Sequence, residues 1–136
     1  MITVRLTEPQ TYVLESDDAL DREHPDFNFA KYSETLDAKH IPLKPGGVPT
    51  EWKIRPLKRR EYENVMALRD NECALIWEAV AYALVGVKNF GRPVEIERKR
   101  IGGLDRVTED SLDAVYKPGV FTELGARVLM ISRLDP

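Results

Sequence analysis

The sequence predicts an α+β fold, β-rich in its first half and helical in its second. Three observations carry the expectation: short alternating apolar runs at 2–6, 12–14 and 50–55, prolines and glycines between them, and helically spaced apolar residues in three to four runs after Leu57. At 136 residues the chain has the usual size of a single domain with one core. Its expected divisions are a hairpin at 1–14, an extended arm or loop at 15–49 and an α+β body at 50–136.

Ile2, Val4 and Leu6 alternate with Thr3 and Arg5, and Tyr12-Val13-Leu14 follows Pro9-Gln10. That is the period of two half-buried strands joined by a turn. From Glu15 to Lys31 the composition turns acidic, with Asp17, Asp18, Asp21, Glu23 and Asp26, and only Leu20, Phe27 and Phe29 offer anchors. Pro42, Pro45, Gly46, Gly47 and Pro49 then make a connector, because proline lacks the N–H and fixes φ. Phe27, Phe29, Tyr32, Leu36, Ile41 and Leu43 are scattered through this polar stretch. Such an arm is expected to become ordered by lying on a partner or on another copy of the chain, with Phe27, Phe29 and Tyr32 as its anchors.

Thr50 to Arg55 alternates again, with Trp52 and Ile54 on one face, and Pro56 stops the strand. Tyr62, Val65, Met66 and Arg69 recur at helical spacing after Lys58-Arg59-Arg60. Glu72 to Val87 is apolar on nearly every side, which predicts a central helix burying Trp77, Val80 and Leu84. Val94 to Arg98 alternates as a short strand, Ile101-Gly102-Gly103-Leu104 is a turn, and Thr108 is a suitable N-cap for a helix over Glu109–Tyr116. Val120, Phe121, Leu124, Val128, Leu129, Ile131 and Leu134 trace one face of a closing helix.

Chemistry-bearing residues are sparse. The two histidines, His24 and His40, have no second ligand at a recognised spacing, and the acidic residues around His24 lack the glycine and closing glutamate of a calcium loop. They read as a solvated loop. Cys73 lies in an apolar run far from either histidine, which favours a buried structural thiol over a nucleophile. Gly46-Gly47 and Gly102-Gly103 lack the lysine and further glycines of phosphate-cradling loops. The sequence therefore predicts no catalytic, cofactor-binding or metal-binding residues, and a protein that binds rather than catalyses.

A net charge of −3 gives no global field to gather a polyanion, so nucleic acid is a disfavoured partner. Lys58-Arg59-Arg60 and Arg98-Lys99-Arg100 are basic, yet Glu61 and Glu63 follow the first and Glu95 and Glu97 precede the second. Both read as solvated surface. The longest apolar stretch contains Glu78 and falls short of the roughly 20 residues a spanning helix needs, and the first residues lack the basic-then-apolar pattern of a secretory signal. One cysteine fits a reducing compartment.

The segment Trp52-Lys53-Ile54-Arg55-Pro56-Leu57 leading into Lys58-Arg59-Arg60-Glu61-Tyr62-Glu63, the apolar helix after it, and Phe121-Thr122-Glu123-Leu124-Gly125 leading through Val128-Leu129 to Ile131-Ser132-Arg133-Leu134 resemble small tail-assembly proteins of long-tailed bacteriophages, most closely the tail assembly chaperones. The resemblance spans residues 50–134, and the acidic, proline-bearing first half departs from it. It implies a non-enzymatic protein of the host cytoplasm that binds tape-measure or tail-tube subunits during assembly. The alternatives are a virion component, such as a head–tail connector, tail or minor capsid protein, and a small nucleic-acid-binding regulator. Surface chemistry adds Arg59 and Arg60 to Phe27, Phe29 and Tyr32 as partner-binding candidates.

Overall fold

The computed structural model describes residues 8–133. Along the chain come β1 (Gln10–Tyr12), α1 (Phe29–Thr35), a 3-10 turn (Ala38–His40), β2 (Glu51–Ile54), α2 (Arg59–Met66), α3 (Glu72–Ala83), β3 (Leu84–Lys88), β4 (Arg98–Ile101), β5 (Leu104–Val107), α4 (Glu109–Val115) and α5 (Val120–Ser132). The mix of helix and strand agrees with the sequence reading, but the strands are not confined to the first half.

β1, β2 and β3 make an antiparallel sheet with β2 in the centre, pairing Tyr12 with Trp52 and Trp52 with Val87. The register shifts between Lys53 and Ile54, leaving Val85 as the extra residue of a bulge on β3. The alternation read in β2 holds, since Trp52 and Ile54 are buried while Lys53 is exposed. The other strand expected in the first hairpin, Ile2–Leu6, lies outside the described residues, and β1 pairs with β2.

The central helix is shorter than its apolar run. It ends at Ala83, and Leu84 passes without a loop into β3. Val85 and Val87 are β-branched and Gly86 is a poor helix former, so the strand pairing with β2 outcompetes another turn of helix. Ala79 to Leu84 are all buried, as expected for Val80 and Leu84, whereas Trp77 is half-buried and Cys73 is exposed. The first turn of α3, opened by Asn71 accepting the Ala74 N–H, projects beyond the core, and Cys73 with it.

α3 packs against α5 along its length. A β-carbon on Gly125 would sit 2.8 Å from Ile76 Cδ1, so the glycine sets how closely the helices approach. Behind them, Leu112 and Val115 of α4 and Leu124 and Val128 of α5 join Val65, Val80 and Leu84 at zero exposure. Thr108 caps α4 by accepting the Ser111 N–H, as its position predicted. The short strand expected at Val94–Arg98 lies further on: β4 begins at Arg98 and pairs with β5 across the Gly102-Gly103 turn. Both glycines have positive φ, 60° and 80°, which a two-residue turn matching the twist of its strands requires.

Residues 15–49 are not an extended arm. Leu20 and Leu43 form an antiparallel bridge, Asp21 N–H donates to Pro42 C=O, and Asn28 N–H donates to His40 C=O, so the segment folds back on itself. Leu20, Tyr32 and Ile41 are buried in the common core. One carboxylate, Asp17, accepts the N–H groups of Ala19 and Thr50 and closes the base of the excursion. A composition count of one helix face misses this burial, because the apolar residues come from both runs of the fold-back.

Candidate functional site

The partner-binding residues named from sequence separate into two places. Phe29 and Tyr32 of α1 meet Tyr12 of β1, with Tyr12 and Tyr32 stacked at 5.7 Å and Phe29 edge-on to Tyr12 at 6.0 Å. The Tyr32 hydroxyl accepts the Val13 N–H at 2.9 Å. Over the Tyr12 ring, at 4.3 Å, lies the guanidinium of Arg127 from α5, which also donates to Ser33 Oγ and Gln10 Oε1. Burial pushes the Tyr12 and Tyr32 hydroxyls above the ordinary tyrosine range and Arg127 below the ordinary arginine range. Phe29 and Tyr32, with half-buried Phe27, thus fasten the fold-back to its own body. In this conformation Tyr32 has no free face.

Arg59 and Arg60 occupy the first turn of α2 and are exposed. Arg59 pairs with Glu63 one turn on. Behind them Arg55 makes a two-pronged bond to Glu61 at 2.8 and 2.9 Å, and Glu61 also accepts the Lys58 N–H. The strand-to-helix corner is therefore rigid, with the basic residues on its outside.

A third place presents the chemistry of a binding surface. Glu72, Cys73, Ile76 and Trp77 of α3 face Tyr116, Gly119, Phe121 and Thr122 at the α4–α5 junction across a cleft of about 440 Å³. Three aromatic rings cluster at this cleft: Trp77 lies 5.9 Å from Tyr116 and 5.6 Å from Phe121, and Tyr116 stands edge-on to Phe121 at 5.1 Å. Phe121 is buried and anchors the set, whereas Tyr116 is 49% exposed. Trp77 is oriented by its indole N–H donating to Glu109 Oε2 at 3.2 Å.

The arrangement suits an apolar side chain pressed against aromatic faces, with Glu72, Cys73 and Thr122 as polar edges. No histidine lines it. Among the described residues no three His, Cys, Asp or Glu side chains gather where they could hold a metal ion. Elsewhere, His24 Nδ1 accepts the Asp26 N–H at 3.0 Å within its own turn. No helix among the described residues is long and apolar enough to cross a membrane.

The sequence places Trp77 in the core of one helix, Tyr116 at the end of a second and Phe121 on the face of a third, with nothing to join them. Tyr116 ends one helix and Phe121 begins the next, so neither stands at a helical spacing from Trp77, and only the packing of α3 on α5 brings the three together. No protein-family model, curated protein or solved structure matches the chain.

Proposed function

We propose that the chain is a bacteriophage assembly protein of the tail assembly chaperone type, acting in the host cytoplasm, which holds an amphipathic helical segment of a tape-measure or tail-tube subunit. The observation that supports this reading best is the Trp77–Tyr116–Phe121 cleft. An aromatic cluster with Trp77 and Tyr116 both partly exposed offers a large apolar contact at little rotamer cost, the usual anatomy of an interaction hot spot. Its polar rim carries Cys73 without a histidine, so binding is the chemistry it favours over catalysis. An amphipathic helix would place a row of i, i+3, i+4 side chains against the cluster and keep its polar face in water.

The test is whether the purified protein keeps a tape-measure segment from aggregating, followed by light scattering. Suppression by the natural chain and its loss in Tyr116→Ser is the expected result. Equal suppression by both would remove the cleft from the function. Recovery of the protein at fixed stoichiometry in purified phage particles would replace the chaperone reading with that of a virion component.

A further inference from the structure

The two basic runs are separated in sequence by all of α3 and β3, yet they meet in space. A β-carbon on Gly103, at the tip of the β4–β5 ribbon, would lie 3.8 Å from Arg60 Nη1 on the first turn of α2. The ribbon is fixed at its base. The Arg98 guanidinium donates to the carbonyls of Tyr82, at 2.8 Å, and Leu84 at the end of α3, and pairs with Asp105. Arg106 on the facing strand pairs with Glu78 at 2.6 Å and more distantly with Glu109.

With Arg59 held by Glu63, four cations remain: Lys58, Arg60, Lys99 and Arg100 are exposed and form no ion pair among the described residues. Beyond them at the tip, Ile101 is 56% exposed beside two glycines. The acidic groups on these elements are Glu61, buried against Arg55, and Glu63 and Asp105, each already paired with an arginine; Glu95 and Glu97 precede the ribbon's base.

From this juxtaposition we infer that the α2 corner and the β4–β5 ribbon form a binding surface for the phosphate backbone of duplex nucleic acid, with the ribbon entering a groove. The major groove of B-DNA admits a two-stranded ribbon, phosphates on its walls take Lys and Arg from both sides, and an apolar tip residue suits a base methyl group. Part of the net charge of −3 lies on the fold-back, where Asp18, Glu23 and Asp26 are exposed, and part beside the ribbon, where exposed Glu109 and Asp110 border the same hollow as Lys99 and Ile101. The surface is distinct from the aromatic cleft, so either assignment stands without the other.

The experiment is fluorescence anisotropy of the full chain with a dye-labelled DNA duplex of about 20 base pairs, repeated between about 50 and 200 mM salt. Four phosphate contacts predict a log–log slope near −3.6, a loss on the order of 100-fold across that range. Arg60→Ala, Lys99→Ala and Arg100→Ala should each reduce the slope by about 1, while Tyr116→Ser leaves it unchanged. Absence of binding at the lowest salt, or a slope indifferent to all three alanine variants, overturns the inference. A labelled polyglutamate peptide provides the rival: binding to it and not to DNA, with the same dependence on Arg60, Lys99 and Arg100, assigns the surface to an acidic protein segment and also overturns it.

Discussion

Ile76 fills the space in which Gly125 would carry a side chain, its Cδ1 2.8 Å and its Cγ2 3.1 Å from that position. Ile76 Cα lies at an ordinary contact distance of 3.6 Å, so the clash falls on the Ile76 side chain, whose Cγ2 could withdraw only by a χ1 change that a β-branched residue in a helix resists. Gly125→Ala should therefore destabilise the protein by about 1–3 kcal/mol despite alanine's better helix propensity. Urea unfolding measures it, and Ile76→Val in the same chain should recover part of the loss by removing Cδ1.

The Arg55–Glu61 pair is buried enough for its partners to depend on each other, with side-chain exposures of 15% and 3%. Glu61→Gln keeps the shape but leaves a guanidinium without its counter-charge and weakens the bond to the Lys58 N–H. A loss of about 3 kcal/mol is expected in the unfolding free energy, read as a lower urea midpoint. Glu63→Gln, at an exposed pair, should change it far less.

Tyr12 and Tyr32 give the protein a basic limit. Burial raises both hydroxyls above the ordinary tyrosine value near 10, and this outweighs the attraction of tyrosinate for Arg127. Their contribution to stability is full below that ordinary value and is lost as pH rises through the folded-state values, since the unfolded chain releases the two protons first. Absorbance titration of tyrosinate, compared with Tyr12→Phe and Tyr32→Phe, should show Tyr12 and Tyr32 ionising late, together with loss of near-UV circular dichroism. Ionisation of either at the ordinary value in a folded chain would contradict the burial.

The cleft separates binding from stability. Tyr116 is half-exposed and its loss should cost less than about 1 kcal/mol in unfolding, yet Tyr116→Ser should weaken partner binding roughly 30-fold if the ring is a hot spot. Trp77→Ala should also weaken binding but cost about 2–3 kcal/mol of stability, below the range for a fully buried tryptophan. Titration calorimetry and thermal unfolding of the same samples distinguish the two effects.

What the sequence disclosed follows from which signals are local. Thr108, Pro56 and the Val120–Ser132 face act within a turn or two of chain, and the elements they predict are present. The end of α3 was hidden because Leu84 to Val87 reads equally as buried helix or buried strand, and only pairing with β2 decides between them. The folding-back of residues 15–49 was hidden for the same reason: Leu20 finds Leu43, and Ser16 finds Glu123, across distances no periodicity records. In the cleft, Trp77, Tyr116 and Phe121 were each visible as residue types, but Tyr116 and Phe121 belong to a junction between helices.

Two residues of α5 add fastenings to the first third of the chain. Glu123 accepts the N–H groups of Glu15 and Ser16 and the Ser16 hydroxyl, and one turn later Arg127 takes Gln10 and Ser33. During synthesis these partners emerge far apart: at roughly 5–20 residues per second the ribosome needs about 5–20 s to travel from Ser16 to Glu123. For that interval the nascent segment has neither its carboxylate nor its guanidinium, and the rings of Tyr12, Phe29 and Tyr32 lack the arginine that covers them. A nascent chain that has not yet reached α5 therefore holds its opening segment without either partner, and that segment stays open to proteases until α5 is made.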